Sequence, residues 1–154
     1  MLANWLQKQW LKPSIWHLLL IPLSWGFGFI STIRKSLYES GWLKSQALSV
    51  PVIVIGNIHV GGTGKTPLVI WLAEQLKLAG YQPGIISRGY GGNVKQVTQV
   101  FANSNAQEVG DEPVLIVKRT NCPMFVNANR VLAGQTLLVA HPECDVILSD
   151  DGLQ

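Results

Sequence analysis

The sequence has few charged residues and few cysteines. Only 14% of its 154 residues are Asp, Glu, Lys or Arg, and 47% are hydrophobic. An ordinary soluble domain carries about 25% charged residues, so this composition argues against a disordered chain and against a protein that coats nucleic acid. Cys122 and Cys144 belong to no CxxC pattern and have no His pair nearby, which argues against a disulfide scaffold and a zinc site. Buried thiols are the favoured interpretation.

The excess of basic residues is confined to the N-terminal region. Residues 1–50 contain five basic residues and one acidic residue, while residues 51–154 contain seven basic and eight acidic residues. Residues 13–33 carry no Asp, Glu, Lys or Arg, and about 20 apolar residues suffice to cross a bilayer. Four of the six Trp residues lie in the first 25 positions, and a membrane interface favours Trp beside basic residues.

These features predict an N-terminal membrane anchor segment, residues 1–45, ahead of a second domain, residues 46–154. Pro22, Gly26 and Gly28 interrupt the apolar run, so a shallow, tilted or kinked insertion is as good an interpretation as a spanning helix. A buried core helix is a further alternative, because Trp also fills protein cores. A cleaved signal peptide is disfavoured, since no small-residue cleavage site follows the run.

The second domain alternates short apolar runs with helical patterns. The β-branched run 50–56 ends at a glycine and is followed by a helical period over 66–80. Later apolar runs and helical stretches follow in the order 84–89, 111–119, 123–126, 129–140 and 145–149. Strands joined by helical crossovers predict an α/β fold, with a parallel sheet and helices on both faces. The stretch 93–109 mixes a period of two with loop residues and predicts no single element.

A glycine-rich loop lies between the first strand and the first helix of this domain. Its sequence, HVGGTGKTP, departs from the GxxxxGK[ST] pattern by placing His59 where the pattern has its first glycine. In such a loop, backbone N–H groups cradle phosphates, Lys65 reaches the β- and γ-phosphates, and the Thr66 hydroxyl binds Mg²⁺. The strand before the loop and the helix after it predict a P-loop NTPase-like nucleotide site rather than a structural turn.

Two aspartates follow the last apolar run. Asp150 and Asp151 stand in VILSDDGLQ, directly after a predicted strand. In a parallel sheet the carboxyl end of this strand lies beside the phosphate loop, where Asp150 would reach the Mg²⁺ held by Thr66. An Asp-Gly turn is the structural alternative.

Two further motifs have both functional and structural interpretations. In GDEP, Asp111 and Glu112 either cap a helix that begins there or, beside a nucleotide site, act on an acceptor hydroxyl. In SRGYGG, Arg88 would clamp phosphate and Tyr90 would line an acceptor pocket, while the glycines would admit a ligand close to the backbone. A glycine turn with a surface Arg explains the same residues equally well.

A family resemblance rests on five segments in this order: VIVIGNIHVGGTGKTP, SRGYGG, GDEP, NANR and ILSDDGLQ. Together with the N-terminal apolar segment, they resemble the tetraacyldisaccharide 4'-kinases, the lipid A 4'-kinases of Gram-negative bacteria. The resemblance covers nearly the whole chain. It implies an enzyme at the cytoplasmic face of the bacterial inner membrane that transfers the γ-phosphate of ATP, with Mg²⁺, to the 4'-hydroxyl of a lipid A disaccharide 1-phosphate. The lipid acceptor and the membrane surface are the implied partners, and the sequence indicates neither nucleic acid nor a protein partner.

The resemblance also implies roles for individual residues. Lys65 and Asp111 would be catalytic, with Asp111 as the carboxylate that handles the acceptor hydroxyl. Mg²⁺ would be held by Thr66, Glu112, Asp150 and Asp151. ATP would be bound by Gly61, Gly62, Thr63, Gly64, Lys65, Thr66, Arg88 and Tyr90. Arg130, in NANR, would line the ATP or lipid site, although a solvated helix residue is the more ordinary interpretation.

Two other functions are consistent with the motifs. One is a membrane-tethered P-loop ATPase switch without a lipid acceptor, which would hydrolyse ATP with water alone. The other is a membrane-anchored nucleotide-binding module without catalysis. Members of the resembled family are longer and continue the DDGLQ motif with a His. The resemblance therefore implies that this chain is the N-terminal part of such an enzyme, without its second lobe.

Overall fold

The structure is a computed structural model that describes residues 15–43, 46–56, 64–89, 92, 94 and 96–150. The chain divides into two compact units, residues 1–46 and residues 47–154.

The described part of the N-terminal unit is mostly one helix, α1, Ile15–Glu39, which contains Pro22. Pro22 lacks the N–H that would complete the helical hydrogen-bond ladder. Two hydroxyl groups bond back to carbonyl groups of the same helix: Ser24 Oγ donates to Ile21 O at 2.7 Å and Thr32 Oγ1 donates to Gly28 O at 2.8 Å. Such bonds satisfy the hydroxyl groups within the helix and often bend it.

Large apolar side chains are exposed along α1 and just after it. Every side chain from residue 21 to residue 43 is exposed, and Trp25, Phe27 and Trp42 reach 75%, 74% and 84%. Among the helices that the structure describes, none has both the length and the apolar character needed to cross a membrane. The membrane association of residues 1–45 stays a prediction.

Within the described residues, the second unit contains one five-stranded sheet. Its strands are β1, Val52–Ile55; β2, Pro83–Ser87; β3, Thr98–Val100; β4, Met124–Val126; and β5, Val146–Asp150. They lie side by side in the order β1-β5-β2-β4-β3. β5 is parallel to both β1 and β2, and β2 is parallel to β4. The predicted α/β fold is confirmed.

The edge strand β3 is antiparallel to β4, with Thr98 opposite Val126 and Val100 opposite Met124. The sheet is therefore mixed: the four predicted strands are parallel, and the antiparallel edge strand lies in the stretch to which the sequence assigned no single element. In the described part of the segment between β2 and β3 there is no helix. A parallel strand needs a crossover that returns the chain to the amino edge of the sheet. Here β3 begins at the carboxyl edge, where β2 ends, and therefore runs antiparallel to β4.

The helices of this unit are α2, Lys65–Leu78; α3, Ala106–Val109; α4, Asp111–Thr120; and α5, Arg130–Ala140. They cover both faces of the sheet, as predicted. On one face, α2 and α4 close a core that includes Val69, Ala73, Ile85, Ile116, Met124 and Leu148. On the other face, α5 closes a second core that includes Ile86, Phe125, Ala133, Leu137 and Ile147. Consecutive strand residues such as Ile85 and Ile86 enter opposite cores because side chains alternate along a strand.

The ends of these helices follow from their flanking residues. The Asn129 side chain accepts a hydrogen bond from Leu132 N at 3.2 Å and caps α5, as short polar residues do at helix starts. α4 ends at Asn121, which adopts φ 52 in the left-handed region. Asn tolerates this conformation better than most residues.

Cys122 and Cys144 are free and buried, as predicted. Cys122 belongs to the core under α2 and α4, whereas Cys144 belongs to the core under α5, and both line one groove at the amino edge of the sheet. Burial raises the pKa of the Cys122 thiol and, together with nearby acidic groups, raises the pKa of Cys144 to about 11. Both thiols are therefore protonated at neutral pH and are poor nucleophiles and metal ligands.

Candidate functional site

The carboxyl ends of four parallel strands meet at one edge of the sheet. Ile55 at the end of β1 is the register partner of Asp150 at the end of β5. In the same way, Ile86 of β2 pairs with Ser149 of β5, and Ser87 pairs with Val126 of β4. Adjacent strands are about 4.8 Å apart, so the chain segments that leave this edge begin close together. This is the edge at which open α/β sheets bind ligands.

Lys65 and Thr66 form the first turn of α2, which follows β1 and its loop. Both residues are partly buried. Gly64, directly before them, has φ 78 and ψ 22 in the left-handed region, where glycine is favoured. Because Gly64 has no side chain to cap the helix and the first turn contains no acidic residue, the start of α2 keeps the positive character that attracts anions. The predicted ATP residues Gly61, Gly62 and Thr63 lie outside the described residues.

Asp150 is the last residue of β5 and is only 3% exposed. Leu148, two positions earlier, lies in the core under α2, and side chains two residues apart point to the same face. The Asp150 carboxylate is thus on the face that α2 covers, next to the end of the strand that leads into the phosphate loop. Asp151 lies outside the described residues.

Asp111 and Glu112 form the first turn of α4 and are exposed. They are not the N-cap, as the structural interpretation had it, because Gly110 occupies that position. α4 packs beside α2, and Lys77 Nζ donates to Thr120 O at 2.9 Å near their C-terminal ends. Measured from that bond at 1.5 Å per residue, Lys65 lies about 18 Å away along α2 and Asp111 about 14 Å away along α4. Both helix starts are therefore at the carboxyl edge of the sheet.

Arg88 directly follows β2 at the same edge and is exposed, and Tyr90 lies outside the described residues. The turn after Arg88 is closed by a hydrogen bond from Gly92 N to Gly89 O at 3.1 Å. At Gly92 the space that a side chain would need is filled by the backbone of Glu108 and Val109. On the side where a side chain would lie, the neighbour of Gly92 is therefore protein backbone, and ligand access at the glycines of this motif stays a prediction.

The start of α5 adds residues from the opposite face of the sheet. Arg130 is its first residue and is partly buried. Asn127, which the sequence interpretation missed, is 8% exposed, and its N–H donates to Ser87 O at 3.0 Å. Its Oδ1 accepts from Asn129 N at 2.8 Å. Asn127 thus links the end of β2 to the start of α5, and the signals for it were its position directly after a predicted strand and its place in the NANR segment.

The oxygen ligands at this edge suit Mg²⁺. Mg²⁺ prefers carboxylate and hydroxyl oxygens and is usually held by one or two carboxylates, with water and phosphate completing its shell. A buried carboxylate, Asp150, beside the start of α2, where Thr66 lies, fits that requirement. Among the described residues no three His, Cys, Asp or Glu side chains form a group that would hold a metal ion without phosphate.

A groove of about 170 Å³ lies at the opposite, amino edge of the sheet. Its lining includes Lys77, Tyr81, Gln82, Asn121 and Glu143. Because Lys77 and Asn121 stand at the C-terminal ends of α2 and α4, this groove is remote from the residues that the sequence predicts to be functional. The candidate site is therefore the carboxyl edge.

Comparison with known proteins gives consistent matches. The family model described as tetraacyldisaccharide-1-P 4'-kinase matches residues 16–154. The tetraacyldisaccharide 4'-kinase of Methylobacillus flagellatus is 53% identical over 152 residues, which cover 99% of this chain and 45% of the relative. The enzyme of the same name from Shewanella frigidimarina is 58% identical over 136 residues, covering 88% of this chain and 40% of the relative.

A solved structure also matches the fold. The crystal structure of LpxK from Aquifex aeolicus in complex with ATP aligns with a TM-score of 0.68 and 35% identity, covering 91% of this chain and 45% of that one. The chain spans less than half the length of these proteins. The resemblance inferred from the motifs is confirmed, and the chain belongs to the tetraacyldisaccharide-1-P 4'-kinase family.

Proposed function

We propose that this chain supplies the ATP-binding part of a kinase that phosphorylates the 4'-hydroxyl of a tetraacyldisaccharide 1-phosphate. One structural observation supports the proposal independently of the family match: Ile55 and Asp150 are register partners. It sets a buried carboxylate beside the strand that leads to the phosphate loop, on the face where α2 begins. A phosphate-binding helix start and a metal-binding carboxylate are the two parts that a nucleotide kinase needs at one edge.

The chemistry divides among the residues at this edge. The start of α2 and Lys65 would bind the β- and γ-phosphates and offset the charge that develops on them. Thr66, Asp150 and Glu112 would hold Mg²⁺, which when bound neutralises phosphate charge. Arg88 would contact phosphate as a forked donor. Gly61, Gly62, Thr63, Tyr90 and Asp151 keep the roles that the family resemblance implies.

Asp111 would act on the acceptor. The acceptor oxygen forms a bond to the γ-phosphorus while the bond from that phosphorus to the β–γ bridging oxygen breaks, and ADP leaves with the electron pair. The proton of the acceptor hydroxyl passes to the Asp111 carboxylate late in this process, so the main contribution of Asp111 is orientation. Its position in an exposed first turn leaves it accessible to a substrate that arrives from solvent or from a membrane surface.

The dependence of ATP turnover on the acceptor tests this function. We expect the complete reading frame that encodes this chain to transfer labelled γ-phosphate to a tetraacyldisaccharide 1-phosphate in detergent micelles, and to turn over little ATP without it. The 154-residue chain, assayed in parallel, measures how much of the activity resides in it. ATP hydrolysis that is equally fast with and without the lipid would contradict the proposal and favour an ATPase switch.

We further propose that residues 1–45 bind the surface of the bacterial inner membrane on its cytoplasmic side. The exposed aromatic side chains of α1, among them Trp25 and Phe27, support this, because such side chains favour the interface between lipid and water. An enzyme held at the surface meets a membrane-bound acceptor at a raised effective concentration.

The basic residues of this segment give a direct test of membrane binding. Each basic residue near an anionic surface contributes about 1 kcal/mol. Replacing Lys8, Lys12, Arg34 and Lys35 by Gln should therefore weaken binding to anionic vesicles at low salt, measured by vesicle co-sedimentation. The matched control replaces Lys118 and Arg119, in the last turn of α4, and should bind like the wild type. Equal binding by the fourfold variant and the wild type would rule out an electrostatic contribution from these residues.

A further inference from the structure

Two glycine-bearing segments are in backbone contact at the carboxyl edge. One is the turn after β2, closed by the hydrogen bond between Gly89 and Gly92. The other is the segment that leads from α3 into α4. A Cβ on Gly92 would overlap the carbonyl oxygen of Glu108 and lie 2.9 Å from the carbonyl carbon of Val109. Because these neighbours are backbone atoms, they cannot give way as the end of a flexible side chain would.

Gly89, at the start of this turn, also lies close to the segment before α4. Its φ of 74 lies in the left-handed region, and a Cβ there would lie 3.2 Å from the Cβ of Val126 and 3.5 Å from Val109 O. Val109 itself is only 2% exposed. Gly89 and Gly92 thus lie against the end of β4 and the segment before α4, with no room for a side chain at Gly92 and little at Gly89.

The segment that receives this contact ends directly at Asp111. Gly110, which is buried and has φ 96, separates Val109 from the first residue of α4. The far end of α4 is held by the hydrogen bond between Lys77 and Thr120. A change in spacing at Gly92 would therefore be transmitted to the first turn of α4, through one intervening glycine.

We propose that Gly92 is a positioning residue for phosphoryl transfer. Its contact with the backbone of Glu108 and Val109 sets the distance of the Asp111 carboxylate from the start of α2. This inference rests on the proposed function, in which Asp111 orients the acceptor hydroxyl. Displacing a reacting group by about 1 Å can reduce turnover about 100-fold. A shift of that size, caused by a side chain at Gly92, is therefore enough to lower turnover.

A double-mutant cycle tests whether Gly92 acts through Asp111. In the complete reading frame, Gly92→Ala should lower kcat about tenfold or more while the KM for ATP changes less than about twofold, because the start of α2 is not displaced. In the Asp111→Asn background the same substitution should lower kcat no further, since residues that act as a unit are not additive. An equal fold-loss in both backgrounds, or an unchanged kcat, would overturn the proposal.

Gly80→Ala is the matched control. Gly80 also has a positive φ, 91, but a Cβ there would meet nothing within 4 Å, and Gly80 lies after the C-terminal end of α2. This variant should lower Tm through backbone strain and leave kcat unchanged. If Gly92→Ala does not fold, Gly89→Ala, with longer contacts, should give the same pattern of kcat and KM. A loss of kcat in Gly80→Ala equal to that in the turn variants would show that strain alone explains the effect.

Amide hydrogen exchange tests the positioning role of Gly92 independently of the proposed function. In the complete reading frame, the amides of Val109 and Gly110, which donate to Asn105 O and Ala106 O, should exchange faster in Gly92→Ala than in Gly80→Ala, because only the first variant disturbs the contact before α4. Absence of phosphate transfer by the wild type would refute the proposed function, while the exchange comparison would still decide whether Gly92 positions this turn. Equal exchange in the two variants would refute the positioning itself.

Discussion

Lys65→Ala should abolish most phosphoryl transfer, with a loss in kcat of at least about 100-fold. The lysine stands in the first turn of α2, at the edge where β1 and β5 end. In the proposed function its charge would stabilise the phosphate oxygens more strongly in the transition state than in bound ATP, so removing it should lower kcat more than ATP affinity. Single-turnover transfer from labelled ATP and ATP binding by calorimetry would measure the two effects separately.

Lys118→Ala is the matched control for the loss of one positive charge. Lys118 is exposed in the last turn of α4, at the other end of the fold. Its removal should change transfer less than about twofold, because exposed surface substitutions have small effects. If the two variants lost activity equally, net charge rather than the position of Lys65 would be responsible. If Lys65→Ala retained full activity, the start of α2 would not be the phosphate site.

Asp111→Asn should reduce kcat by about 100- to 10,000-fold, the usual range for losing a proton-transfer group. Asn keeps the size of the side chain and the start of α4 but cannot accept the hydroxyl proton. ATP affinity should be nearly unchanged, because this carboxylate is proposed to face the acceptor and not the nucleotide. Steady-state kcat and KM for both substrates, measured with the complete reading frame, would reveal this pattern.

Glu74→Gln controls for the loss of an exposed carboxylate elsewhere in the domain. Glu74 is exposed in the middle of α2 and should tolerate the change without loss of activity. An Asp111→Asn variant with normal kcat but weakened ATP binding would move this residue from the acceptor to the metal or nucleotide. That outcome would also remove the basis for Gly92 as a positioning residue.

The main features of the sheet were accessible from the sequence. Runs such as 50–56 and 145–149 are apolar and β-branched, so they predict parallel strands whose carboxyl ends carry the phosphate loop and Asp150. β5 is buried as expected, whereas Val52 and Val54 of the edge strand β1 are exposed. The edge strand β3 was not predicted, because Thr98 and Gln99 are polar and partly buried. A strand of three residues that pairs on one side is too short to show a clear alternation of polar and apolar residues.

Contacts between segments that are remote in sequence could not be predicted from sequence patterns either. The role of Gly92 depends on the backbone of Glu108 and Val109, which a glycine-rich motif does not indicate. Asn127 likewise depends on the end of β2, to which its N–H donates. In both cases the residue type is compatible with several functions. The residues that contact it in the folded structure determine which function applies.

The pairing of β1 with β5 also has a consequence for how the protein is made. Val52 and Ile147 are register partners although about 95 positions separate them, and contacts of such long sequence separation form late and slowly in folding. On the ribosome, β1 therefore waits for β5 to emerge before it can join the sheet. Because Asp150 belongs to β5, metal-dependent nucleotide binding at the proposed site would arise only after β1 and β5 have paired, and ATP would selectively stabilise the paired state.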